Sequence, residues 1–302
     1  MRQQLAQSTL TLVAAVLAVC AFPQVHADVG QEPVAAESIA DQRLEEILIA
    51  QQELIDAAKS GVGDDGLLVR AQDIARSYES FLADNPDHFY GWLLCGRYLR
   101  SIGSDTDALA ALRKADSLRP DTPVVQRLIG QVLADQEIYE AALPFLLRAV
   151  ELDPDEPTFH DDLGVFLVRF GPDLEADEVL GEGRASALAL ESFENAFRLD
   201  PQNFERGWRW AEAHADLPEP DWEANALAWQ QVLPLADSQI EREATRLRIS
   251  RAWIEAGDPE KAQPWMDPVE TTALKPSWER LQKKLEENLQ LSDGGKLVGQ
   301  EE

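Results

Sequence analysis

The sequence predicts an all-α fold made by repeating one helical unit. A pattern of small and apolar residues recurs at an interval of 34. Trp92, Gly96, Ala108, Leu112, Ala115 and Pro120 map onto Gln126, Gly130, Ala142, Leu146, Ala149 and Pro154, and five of the six positions keep their character. A proline closes each copy, where the missing amide hydrogen and the ring stop a helix. No strand–helix alternation and no hairpin signature interrupts the pattern. Self-similarity at an interval of about 20–50 residues marks a stacked repeat architecture.

Taken in chain order, the first helix is expected over Glu37 to Lys59, broken by Gly61, Val62 and Gly63. Ile74, Tyr78, Phe81 and Pro86 match the second helix of that unit. The clearest copies span 89–122 and 123–156, and a third spans 157–203. Gly164 opens this third copy in register, but Ala189, Phe193, Ala196 and Pro201 arrive 13 residues late. The extra residues are placed between its two helices, at about 171–184. A degenerate fourth unit holds Trp208, Ala211 and His214, then Asn225, Trp229 and Val232. A fifth holds Ile249, Ser250, Trp253 and Gly257, then Ala262 and Met266. Ser277 to Leu291, apolar at Trp278, Leu281, Leu285 and Leu289, reads as a terminal capping helix.

Each repeated residue has a physical use. A mid-helix glycine costs about 1 kcal/mol relative to alanine, which is tolerable where Gly96 and Gly130 must let a neighbouring helix approach. Ala108 and Ala142 serve the same approach on the second helix. Gly103 is placed to close its helix in a left-handed conformation.

These residues resemble the tetratricopeptide-repeat (TPR) family, whose unit is two antiparallel helices. Trp92, Cys95, Gly96 and Leu99, followed by Ala108, Leu112, Ala115 and Pro120, fit its signature closely. The resemblance implies a right-handed α-α superhelix of about five to six helical hairpins over 37–291, ending in a capping helix. It also implies a groove lined by the first helix of every unit, which in this family commonly holds a partner's peptide or helix. Counted from each glycine, the residues facing it are Tyr90, Leu93, Arg97 and Arg100, then Arg127 and Gln131, then Asp161 and Arg169. The degenerate units contribute Trp208, Arg209, Glu212, Arg248 and Arg251. Family members that clamp a C-terminal carboxylate carry a Lys and Asn set there; Leu93, Arg97 and Leu128 stand in comparable places, which argues against that clamp.

The ends of the chain read differently. Arg2, an apolar run from Leu10 to Phe22 and the small-residue close Val25-His26-Ala27 have the layout of a secretory signal peptide over 1–27. The expectation is a periplasmic or secreted protein, cleaved after Ala27. Leu17-Ala18-Val19-Cys20 resembles a lipid-attachment site, although Val19 stands where Gly, Ala or Ser is usual. The apolar run falls short of the roughly 20 residues that span a bilayer. Residues 28–36 and 292–302 read as flexible tails, the second of them acidic.

Fifty-five acidic against 27 basic residues leave a net charge of −28. Phosphate contacts depend on Lys and Arg, so nucleic acid is excluded as a partner; another protein or a peptide is expected. Seven arginines in the groove set stand out against this background, since the planar guanidinium pairs with carboxylates. They fit either an acidic partner segment or ion pairs with adjacent repeats. No cofactor or metal is expected. Asp173, Glu175 and Asp177 begin like a calcium loop, but Glu178 and Arg184 occupy places that require Gly and Glu. His88, His160 and His214 lie on different repeats, and phosphate-loop, serine-elbow and CxxC patterns are missing. The eight tryptophans serve helix packing first and sugar or peptide stacking second. The expectation is a non-enzymatic scaffold or adaptor; the alternatives are a structural subunit of an envelope assembly (polysaccharide export or cytochrome maturation) and a carbohydrate-binding protein.

Overall fold

A computed structural model describes residues 39–60 and 64–298. The expected signal peptide, Cys20, the 28–36 segment and the Gly61–Gly63 break lie outside the described residues. Thirteen α-helices and no strand occur among the described residues. They divide into two compact units, the first ending at Leu152 and the second beginning at Asp153.

The first unit contains α1 (Ile39–Lys59), α2 (Asp64–Asp84), α3 (Phe89–Ser101), α4 (Asp105–Leu118), α5 (Pro123–Asp135) and α6 (Tyr139–Leu152). Consecutive helices pair as α1/α2, α3/α4 and α5/α6. Tyr78 and Phe81 of α2 are fully buried. The Tyr78 hydroxyl donates to Gln51 Oε1 at 3.1 Å, and the Tyr98 hydroxyl donates to the Ala71 carbonyl at 2.7 Å. Buried phenols need such partners, and these two bonds tie three helices together. Gly103 closes α3 at φ +75°, the left-handed conformation that glycine adopts without steric cost.

The second unit contains α7 (Pro157–Ala176), α8 (Arg184–Leu199), α9 (Phe204–Ala213), α10 (Trp222–Val232), α11 (Gln239–Glu255), the single turn α12 (Pro259–Ala262) and α13 (Lys275–Val298). Here α7/α8, α9/α10 and α11/α12 form the hairpins, and α13 packs on α11 and α12. Two boundaries differ from expectation. Gly171 to Ala176 belongs to α7, so the connection to α8 is only Asp177 to Gly183. The helix passes through Pro172 because Phe170, Gly171 and Leu174 are buried. A Cβ on Gly171 would sit 2.5 Å from Ala185 Cβ, so this glycine is what lets α8 close onto the extension. The last helix continues to Val298, beyond the expected end at Leu291.

The 34-residue interval has a clear structural meaning. Trp92, Gln126 and His160 are each the fourth residue of α3, α5 and α7. Trp92 Nε1 donates to Pro86 O at 2.8 Å, and His160 Nε2 donates to Pro154 O at the same distance. Both bonds reach back six residues. An indole and an imidazole thus anchor equivalent helix starts. A Cβ on Gly96 would meet Leu112 Cγ at 2.6 Å, one on Gly130 would meet Leu146 Cγ at 2.7 Å, and one on Gly164 would meet Phe193 Cε1 at 2.6 Å. In each hairpin the absent side chain is the space that a buried side chain of the second helix fills.

Candidate functional site

In the first unit, Tyr90, Leu93, Arg97 and Arg100 follow one another at helical spacing along a single stripe of α3. Arg127 and Gln131 occupy one face of α5 in the same way. The structure brings the two stripes together: Arg100 donates to Asp135 Oδ2 at 2.7 Å and to Gln131 Oε1 at 2.8 Å. Arg100 is therefore committed to holding α3 against α5. Tyr90 is exposed and lies under the Arg119 guanidinium, 5.0 Å from its ring centre.

Arg97 is different. It is half-buried, and no carboxylate among the described residues lies within ion-pair distance of it. Burial depresses its pKa, the nearby Tyr78 phenol opposes this, and the charge of Arg127 depresses it further. A cation that is desolvated and set beside another cation is poorly satisfied by its own protein. Arg127 itself is buried, so Arg97 is the more accessible of the two.

In the second unit the predicted residues are mostly joined in pairs between successive first helices. Asp161 of α7 accepts from Arg209 of α9 at 2.5 Å. Glu205 takes a second Arg209 nitrogen. Glu212 of α9 accepts from Arg248 of α11 at 2.8 Å and from Trp208 Nε1 at 3.1 Å. Arg169 lies over the Phe170 ring at 4.7 Å. Arg100, Arg209 and Arg248 thus realise the ion-pairing alternative, each reaching a carboxylate one repeat away. Arg251 is exposed and has no ion pair among the described residues.

Two features went unread in the sequence. Val165 and Val168 stand exposed on α7 in the stripe that begins at Asp161, and nothing in their spacing distinguishes them from core valines. The other is a cavity of about 110 Å³ in the second unit, bordered by Glu212 and Asp216, by Trp222, Asn225 and Trp229, and by Arg248 and Arg251. Its walls come from three segments between 212 and 251, so no local motif announces it. A wider groove of about 380 Å³ lies on the α1/α2 hairpin. Its two arginines are already paired, Arg43 with Asp84 and Arg76 with Asp73, both at 2.8 Å.

The acidic end of α7 has an internal task. Glu175 accepts from the Gly183 amide at 3.1 Å and the Ala185 amide at 2.8 Å, which satisfies the unpaired donors at the start of α8. No group of three or more metal-ligating side chains occurs among the described residues. No described helix is long and apolar enough to cross a membrane.

No protein-family model matches the sequence, and no curated protein is similar to it. Solved structures are. YrrB, described as a TPR protein with an unusual peptide-binding site, is 16% identical, with a TM-score of 0.52 over 72% of this chain and 99% of that one. PilF of Pseudomonas aeruginosa is 16% identical, with a TM-score of 0.53 over 80% of this chain and 99% of that one. Such identities speak for the fold alone, and they agree with the repeated glycine clefts and helix-start bonds: this chain has the all-α helical-hairpin fold of tetratricopeptide-repeat structures.

Proposed function

We propose that the protein is a non-enzymatic adaptor of the bacterial periplasm that holds an acidic segment of a partner protein at Arg97. The observation that carries this is a half-buried guanidinium without an ion pair among the described residues, in a chain whose net charge is −28. Carboxylates are abundant on this chain, yet none among the described residues is placed against Arg97. A carboxylate from outside would neutralise it, and a preformed site of this kind avoids much of the ordering cost of binding. The peptide-binding site named for YrrB is consistent with this use of the fold. The periplasmic assignment rests on Arg2, the Leu10 to Phe22 run and Ala27 in the sequence.

The test is affinity capture from a native envelope fraction with the wild type and with Arg97→Glu. Recovery of a partner bearing an acidic segment by the wild type only is expected. Equal recovery by both proteins would remove the proposal. A stable stoichiometric complex, unaffected by the substitution, would instead favour a structural subunit of an envelope assembly.

A further inference from the structure

We infer that the cavity in the second unit is a binding site for a small zwitterion of the free amino-acid class. Four charged groups border it, two of each sign. One pair is already satisfied. Glu212 and Arg248 hold each other at 2.8 Å, and Arg248 is fixed over the rings of Trp208 at 5.6 Å and Trp229 at 5.9 Å. The other two groups, Asp216 and Arg251, border the same space, are not paired with each other, and have no ion pair elsewhere among the described residues.

Both groups are exposed, so a ligand of one sign would pair with one of them and leave the other to water. A neutral ligand could hydrogen-bond to both groups but would form an ion pair with neither. A molecule carrying a carboxylate and an ammonium on one carbon answers both: the carboxylate accepts from Arg251 and the ammonium donates to Asp216. Asn225 spends its Nδ2 on the Ala211 carbonyl at 2.7 Å, which leaves its Oδ1 as a further acceptor. Trp222 and Trp229 border the cavity and add apolar surface for a short side chain. The size agrees. A cavity of about 150 Å³ holds a benzene ring, so about 110 Å³ suits glycine or alanine and excludes an aromatic amino acid.

The site does not depend on the proposal for Arg97, which belongs to the other unit. Its test is calorimetry with the full chain, paralleled by tryptophan fluorescence, titrating glycine and L-alanine against propionate and ethylamine. Saturable binding of the amino acids is expected, with each singly charged analogue at least about tenfold weaker. Asp216→Asn and Arg251→Met should each weaken alanine binding by about tenfold or more, with circular dichroism melting used to confirm that both variants fold. The inference is overturned if neither amino acid saturates by about 10 mM, if propionate or ethylamine binds as well as alanine, or if neither folded variant loses affinity. Binding of a neutral sugar that is unaffected by both substitutions would also overturn it.

Discussion

Replacing Arg97 with methionine should make the protein more stable and a worse binder at once. The side chain is half-buried, and its charge has no described counter-ion. Burial opposes the charged form, and Arg127 adds to that opposition. Methionine keeps most of the unbranched stem and removes the cation. Exchanging buried charged groups for apolar residues of similar volume stabilises proteins by about 1–4 kcal/mol. Half-burial places Arg97 at the lower end, about 1 kcal/mol, which for a chain of this size raises Tm by about 2–4 °C. If Arg97 receives a partner's carboxylate, the same change removes one member of a desolvated pair. That costs about 2–5 kcal/mol of affinity, or roughly thirtyfold and upward. Urea unfolding measures the first effect as a higher midpoint at unchanged slope; titration with the captured acidic segment measures the second. A lower midpoint would show that Arg97 supports the fold. Unchanged affinity would show that the segment binds elsewhere. Either result refutes the argument.

Gly130→Ala gains about 1 kcal/mol of helix propensity but forces a methyl to 2.7 Å from the buried Leu146 Cγ. Overpacking of that kind costs about 1–3 kcal/mol, so a lower urea midpoint is expected; a higher one would mean that the hairpin opens freely. Glu243 accepts from the Glu270 amide at 3.0 Å, from Gln239 Nε2 at 2.9 Å and from the Thr271 amide at 3.0 Å, and these bonds, the Glu270 amide foremost, bring its pKa down to about 2. A depressed carboxylate stabilises fully above its unfolded value near 4.5 and loses that contribution as pH falls towards 2. The stability gap between wild type and Glu243→Gln should therefore be widest near neutral pH and close below pH 4.5; a gap independent of pH would contradict the assignment. Burial, aided by Glu79 and Asp107, pushes the Cys95 thiol up to about 12. Its alkylation should follow unfolding, and fast labelling of the native protein at pH 8 would show that the site opens.

The repeat was legible because each of its residues answers to a local rule. The 34-residue interval, the glycines at 96, 130 and 164 and the helix-ending prolines sit at fixed offsets, and the structure gives all three glycines one task. The groove candidates were legible only as a stripe. Sequence spacing put Arg97, Arg100, Arg209 and Arg248 in equivalent roles, and their fates differ according to whether a carboxylate stands one repeat away. Asp135, Asp161 and Glu212 are 35, 48 and 36 residues from their partners; the interval brings the helices together, and which residue types then meet is not part of the repeated pattern. The third repeat shows the opposite failure: Pro172 and its glycine neighbour read as a break, and burial of Leu174 kept the helix going.

By itself, then, the sequence determined that this chain is a succession of helical hairpins, its clearest copies 34 residues apart, because amide loss at proline and the missing glycine side chain act within one turn or one hairpin. Only the tertiary structure decided which charges are spent and which remain available. Pairing of Arg100 and Arg248, the lack of a counter-ion for Arg97 among the described residues, and the meeting of Asp216 with Arg251 around one cavity depend on distances between side chains on different helices. Such distances are set by how the helices pack, and a repeat interval does not contain them.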